Sequence, residues 1–257
     1  MAEQATFRFG VLHPEEDEPP SVEMMGDRVD EGQLRIGLQE RDWAQRIYED
    51  FDDAYYFTYV TEIEDEYERV DDNGNIEQDS RFPIFTSRVL YFDNGGFVFE
   101  SREDIPETRI PAFILNEDPA ALTPDEDFTI FQGFTQDQIQ AEYDTASEVS
   151  RVKFRELGTD EVENDDLLTL IEGLGNEVSS LQLSRGRSTT QDLKRSELIN
   201  EFVSVSELDQ LTYYTTEGER RVMTSSGRIE ISAPEEPVVD EATVIRNHTE
   251  PFLTEFL

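Results

Sequence analysis

AYYFTYVTEIEDEYERV, residues 54 to 70, repeats with a period of two. Tyr55, Phe57, Tyr59, Ile63 and Tyr67 fall on one side, while Glu62, Glu64, Glu66 and Glu68 fall on the other. Successive side chains of an extended chain point to opposite faces, so the pattern predicts a long strand with an aromatic side turned inward and an acidic side turned to water. Asp71-Asp72-Asn73-Gly74-Asn75 follows, and Asn and Gly tolerate the positive φ that a tight hairpin turn needs. FPIFTSRVLYF (82–92) is the expected partner strand. A second turn at Asp93-Asn94-Gly95-Gly96 leads into FVFES, which completes a three-stranded antiparallel meander.

Toward the N-terminus, ATFRFGVLH (5–13) alternates Phe7, Phe9 and Val11 as a strand, and LRIGLQ (34–39) reads as a second, shorter one. Asp42 is placed to cap a helix in which Trp43, Ile47 and Phe51 recur every four residues beside Ala44 and Tyr48. Toward the C-terminus, residues 106–128 are rich in proline and acid, which sets a boundary near residue 120 between a β-rich subdomain (1–120) and an α+β subdomain (121–257). Thr135-x-x-Gln138 matches a capping box before a helix bearing Ile139, Tyr143 and Ala146. Residues 149–157 read as a strand, 163–175 as a helix and 176–184 as a strand; Thr189 or Thr190 then caps a helix reaching about Phe202. Gly218 and Gly227 mark two further hairpins. The end of the chain carries Val244, Ile245, Phe252, Leu253, Phe256 and Leu257, is interrupted at Pro251, and is expected to dock on the body or on a partner. The fold class is α+β: an antiparallel β-meander in the N-terminal half, then a mixed β-α-β-α region with hairpins.

The chain is long enough, at 257 residues, to bury a real core. Its 17 Phe and 9 Tyr argue that the 60 Asp and Glu do not signal disorder. There is no cysteine, which favours a disulfide-independent, cytoplasmic protein. Neither a secretory signal nor a membrane-spanning run of apolar residues is evident. The acid is spread through the chain: residues 1–128 hold 34 acids against 10 Arg and Lys, residues 129–257 hold 26 against 11, and the total is a net charge of -39. Like charge at this density repels itself in dilute buffer and is screened within a few ångströms in molar salt. Only Lys153 and Lys194 are lysines. The composition resembles that of cytosolic proteins of salt-in halophiles, and this implies a salt-selected acidic surface but no particular activity.

Chemical motifs are sparse. His13 and His248 are the two histidines, so a multi-histidine metal site would have to draw both from opposite ends of the chain, and each is read as an ordinary surface or loop histidine. No phosphate-binding loop, zinc-protease motif or nucleophile elbow occurs. Aligning Gly74 with the invariant glycine of a calcium loop places Arg69 where the first acidic ligand belongs, so the hairpin reading is preferred. Glu62 to Glu68 read as a solvated acidic row. Asp192-Leu193-Lys194, with Asp165 or Asp166 upstream, has the D-x-K form of a metal-dependent nuclease or hydrolase arm. Such an arm needs a strand, however, and the segment reads as a capped helix, on which residues two apart diverge.

The chain's local exception is LSRGRSTTQDLKRSEL (183–198), where Arg185, Arg187, Lys194 and Arg195 outnumber Asp192 and Glu197. With Arg220, Arg221 and Arg228 in the following hairpins, it is a candidate contact for nucleic-acid phosphate. The competing reading pairs these cations with neighbouring acids and carbonyls. About four phosphate contacts, at a log-log slope near -0.9 each, lose between three and four decades of affinity for a tenfold rise in salt. Charge alone therefore does not hold nucleic acid in brine. The sequence points to a non-enzymatic binding or assembly protein with a protein partner or self-association and without a cofactor. The alternatives are a structural protein of a virus particle and the metal-dependent nuclease; no residue establishes a role in defence. Dialysis from molar KCl into dilute buffer is expected to lower the melting temperature followed by circular dichroism, whereas an unchanged melt would overturn the salt-selected reading.

Overall fold

The structure, a computed structural model, describes residues 4–13, 18–30, 43–46, 51–62, 65–70, 76–81, 84–101, 105–156, 168–169, 173, 180–186, 192–216, 218–232 and 238–256. It is mostly antiparallel β-sheet with several helices, an α+β composition. The described helices are α1 (Val22–Asp30), α2 (Arg109–Leu115), α3 (Gln136–Thr145), α4 (Glu197–Val205) and α5 (Val238–Phe256). The chain forms two compact units: unit 1 comprises Met1–Thr6 and Phe131–Ala233, and unit 2 comprises Phe7–Ile130 and Pro234–Leu257.

Unit 2 contains β1 (Gln4–Leu12, from Phe7 onward), β2 (Trp43–Arg46), β3 (Ala54–Glu62), β4 (Asp65–Val70), β5 (Ile76–Arg81), β6 (Ile84–Phe92), β7 (Gly96–Glu100) and β8 (Phe128–Ile130). The strand order is β1-β7-β6-β3-β2, with β8 also on β1. β3 and β6 pair along their full length, from Ala54 opposite Phe92 to Glu62 opposite Ile84, with no register shift. β4 and β5 continue the same register, from Asp65 opposite Arg81 to Val70 opposite Ile76. At the β6–β7 turn Gly95 has φ +84, a left-handed conformation that glycine adopts without Cβ strain, and its N–H donates to the Phe92 carbonyl at 3.0 Å.

The aromatic alternation of β3 builds the core. Tyr55, Phe57 and Tyr59 join Val89, Tyr91, Phe97 and Phe99 under α2, whose Phe113 ring lies 5.5 Å from Phe57 and 5.3 Å from Tyr59. α5 covers the other face: Phe252 is 6.3 Å from Phe9, and Leu253 packs against Gly96. The apolar C-terminal segment thus docks on the body through Ile245, Phe252 and Leu253, all buried. Because β1 is covered on both faces, even Arg8 is buried, and its guanidinium pairs with Glu107.

Unit 1 contains β9 (Glu148–Glu156), β10 (Leu181–Ser184), β11 (Glu207–Tyr214), β12 (Arg220–Thr224) and β13 (Arg228–Ser232), in the order β10-β9-β11-β12-β13. Gly218 (φ +84) and Gly227 (φ +74) turn the chain between β11, β12 and β13. One face, carrying Val152, Phe154, Leu211, Tyr213 and Met223, is covered by α3 and α4, with Phe154 stacked on Phe202 at 5.4 Å. The capping box forms as its residues require: Gln138 N–H donates to Thr135 Oγ1, and Gln138 Oε1 accepts from Thr135 N–H. Gln136 then ties α3 to β11, its amide bonding both the N–H and the carbonyl of Leu208 at 2.8 and 3.0 Å.

Several sequence expectations are corrected. Trp43–Arg46 is a strand instead of the start of a helix: an exposed β3 edge offers a full set of backbone partners, and a four-residue window does not separate the two periods. Phe51 lies outside any helix, beneath the Arg246 guanidinium at 4.7 Å. The 54–70 stretch is described as two strands, and β5 is a partner strand that the acidic 76–81 sequence did not suggest. α4 starts later than expected, capped by Ser196 and preceded by a 3-10 turn (Leu193–Arg195) that Asp192 caps. α2 arises within the proline-rich stretch, where Pro111 sits in the first turn and no helical N–H is lost. α5 runs through Pro251. The strand reading of 34–39, the turn 71–75, Thr189, Thr190 and most of the 163–175 helix lie outside the described residues.

A Cβ placed on Gly10 would stand 2.4 Å from the Phe97 ring and 2.9 Å from Ile130, so the glycine allows β8 and β7 to close over β1. Gly10→Ala is expected to cost about 1–3 kcal/mol by overpacking, read from chemical denaturation in molar KCl.

Candidate functional site

The basic segment lies at one end of unit 1's sheet, where β9 begins and β10 and β11 end. Arg185 pairs with Glu148 and lies over the Tyr214 ring at 5.8 Å. Arg220 stands opposite Tyr214 in the β11–β12 ladder and pairs with Glu230 at 3.0 Å. Arg221 turns to the helix-covered face and approaches Glu219 at 4.0 Å and the Tyr213 hydroxyl. That hydroxyl donates to Glu142; burial, then the Glu142 carboxylate, pushes the Tyr213 phenol far above its ordinary value. Arg185, Arg220 and Arg221 are thus gathered around Tyr213 and Tyr214, each beside an acid of its own unit. Arg187 lies outside the described residues.

Asp192 and Lys194 act as internal fasteners. Asp192 Oδ1 accepts from the N–H of Val149 at 2.8 Å and that of Lys194 at 3.1 Å. The Lys194 ammonium donates to the carbonyls of Asp144 and Ala146, both at 2.8 Å, and lies 5.8 Å from the Tyr143 ring. It thereby satisfies carbonyls at the C-terminal end of α3, which a helix leaves without intrahelical partners. Burial first, then the carboxylates of Asp192 and Asp144, pushes the Tyr143 phenol up to about 12, and its hydroxyl donates to Asn200 Oδ1 at 2.6 Å. The D-x-K segment occupies a capped turn and is not on a strand; Asp165 and Asp166 lie outside the described residues. Among the described residues no cluster of three or more His, Asp or Glu is arranged to hold a metal. His13 is exposed beside Thr129 Oγ1 at 2.9 Å, whereas His248 is buried on α5. No described helix is long and apolar enough to cross a membrane.

Arg195 is exposed and has no ion pair among the described residues. Two further arginines share that condition, Arg151 on β9 and Arg228 on β13. Both belong to the sheet face turned away from α3 and α4, as do Lys153 and Arg220. The cue for Arg151 and Lys153 was present in VSRVKFREL, where Arg151, Lys153 and Arg155 recur every second residue, yet the segment served only as a strand assignment. Lys153 binds Asp209, a residue the β9–β11 bulge leaves without a register partner, and Ser225 Oγ donates to the same carboxylate at 2.8 Å. Burial raises the Asp209 pKa, but the hydrogen bonds from Lys153 and Ser225 and the charges of Lys153 and Arg155 together hold it below the usual value.

A different surface in unit 2 had no clear cue. On the β4–β5 ribbon every described residue from Glu66 to Val70 is exposed, as are Ile76, Glu77, Gln78 and Ser80. Register alternation places Val70 and Ile76, a ladder pair, on one ribbon face with Glu66 and Glu68; they are 68% and 70% exposed, and Ile84, opposite Glu62 in the β3–β6 ladder, is 59% exposed. The opposite face is tied by Arg69, which contacts Glu77 and Asp79 at 3.1 Å each. No protein-family model matches the chain, and no curated protein matches it.

A phenol whose pKa is higher folded than unfolded stabilises the fold fully below the unfolded value. That contribution is lost as pH rises from the ordinary value of 10.0 toward about 12 for Tyr143. Alkaline unfolding followed by far-ultraviolet circular dichroism is therefore expected to be shallower between these values for Tyr143→Phe than for the parent protein.

Proposed function

We propose that the protein is a non-catalytic binding or assembly component adapted to a salt-rich cytoplasm, making its protein contact through the β4–β5 ribbon. The observation that carries this reading is the exposure of Val70 and Ile76, paired on one face of the ribbon, with Ile84 exposed further along where β6 begins. Every other described Val, Leu or Ile is buried or half-buried, and the chain gains nothing for its own core from these three. Exposed aliphatic side chains paired on an open ribbon are characteristic of interaction sites, and open strand edges offer backbone partners to another chain. Molar salt favours such a contact because it screens repulsion between two strongly anionic surfaces to a few ångströms.

A second copy is the first occupant to test, and a subunit of a larger particle is the same reading at higher copy number. The nuclease reading gains nothing from Asp192 and Lys194, whose polar atoms serve backbone groups. Nucleic-acid contact by residues 185–195 is reduced to Arg195 among the described cations, since Arg185 faces Glu148 and Lys194 faces carbonyls.

Light scattering in molar KCl tests the reading. The parent protein is expected to associate with rising concentration, and Val70→Thr, Ile76→Thr, Ile84→Thr combined is expected to shift it toward monomer. Threonine keeps the β-branched shape, and exposed substitutions of this kind change stability by only about 0.5 kcal/mol. A strict monomer at high concentration, or equal association by the variant, would overturn assembly through this ribbon.

A further inference from the structure

We infer that the sheet face of unit 1 turned away from α3 and α4 is a track for single-stranded nucleic acid, with Arg151 and Arg228 as its primary phosphate contacts. The ladders set two rows of side chains across five strands of this face. One runs Gln182, Lys153, Gln210, Thr224, Arg228; the other runs Ser184, Arg151, Thr212, Val222, Glu230. In a chain with 60 acids, the first row has no acid at any ladder position and the second has one. Asp209 reaches Lys153 from the bulge, and Glu230 pairs with Arg220. Arg151 and Arg228 are exposed and have no acid partner among the described residues.

Salt-selected surfaces are rich in acid, so a face whose acids Asp209, Glu230 and Glu148 are taken up by Lys153, Arg220 and Arg185, leaving Arg151 and Arg228 without an acid among the described residues, runs against the rest of the molecule. Charge complementarity therefore names an anionic occupant. Arg151 and Arg228 lie three strand spacings apart, about 14 Å at the usual separation of neighbouring strands. Gln182, Gln210 and Thr224 lie along and beside that span and supply neutral hydrogen-bonding groups that match sugar and base edges. A single strand lies across a sheet face with its phosphates reaching separated cations, as sheet-based readers of single strands do. This assignment is independent of the ribbon and moves the nucleic-acid contact from the 185–195 segment to β9 and β13. Thr212 and Val222 in the second row are buried, so the accessible path across the middle of the face follows Gln210 and Thr224 of the first row.

Fluorescence anisotropy with labelled oligothymidylate and oligouridylate, titrated across sub-molar to molar KCl, tests the track. Each phosphate contact on a single strand contributes about 0.7 to the log-log salt slope, so Arg151→Ala with Arg228→Ala is expected to flatten the slope by about 1.4. Affinity at sub-molar salt is expected to fall at least about tenfold. Thermal melts should be unchanged, since neither arginine holds a side-chain partner among the described residues. Arg69→Ala on the ribbon removes the same charge elsewhere and should leave binding and slope unaltered, and the threonine ribbon variant should bind like the parent. No binding by the parent protein, equal binding by the double variant, an equal loss in Arg69→Ala, or equal competition by polyglutamate would each overturn the inference; the last would assign the face to an acidic protein.

Discussion

The unbroken nine-residue ladder between Ala54–Glu62 and Ile84–Phe92 is the constraint on which the rest of unit 2 depends. Side-chain direction alternates strictly along a strand, so a slip of one residue would turn Tyr55, Phe57 and Tyr59 away from α2 and bring Tyr56, Thr58 and Val60 to that side in their place. The register is held where α2 sets Phe113 between Phe57 and Tyr59. It is held again where α5 covers the other side. Because the same register continues into β4 and β5, the core also dictates which ribbon residues share a face. Val70 and Ile76 come opposite one another as a consequence of that register, with no local preference of the ribbon required.

Elements were legible in the sequence where one local signal had a single physical solution. Thr135 and Gln138 formed their reciprocal cap, because both bonds close within one turn. VSRVKFREL became β9 because β-branched, aromatic and charged residues alternate there with no competing helical face. The segment beginning at Trp43 misled because apolar residues four apart satisfy a helix, while the deciding term was the free edge of β3, which lies beyond any local window. The start of α4 was similarly ambiguous: several hydroxyl and carboxylate side chains precede it, and only the fold selects Ser196 and leaves Asp192 to cap the turn before it.

The candidate site was less legible than the fold because charge in a sequence does not state its partner. Arg185, Arg220 and Arg221 looked exceptional in an acidic chain, yet each meets an acid from a neighbouring strand or turn. Lys194 stood out even more, and its ammonium closes the end of α3. Conversely, Arg151 reads as part of an ordinary strand alternation and Arg228 as one more member of the basic patch; sheet pairing brings them onto one face. Isolation along the chain and isolation in space are different quantities, and only the second bears on recognition.

The order in which the polypeptide is made gives α5 an added significance. Residues 7–130 supply the sheet of unit 2, residues 131–233 supply most of unit 1, and only then does the segment carrying Phe252 and Leu253 emerge to cover Phe9 and Gly96. During synthesis one side of the first sheet must therefore wait, uncovered, while about a hundred intervening residues are translated and acquire contacts of their own. A nascent intermediate with that wet aromatic surface would be the species most in need of chaperone protection. A premature stop within the last helix would leave every mature protein in the same unfinished condition.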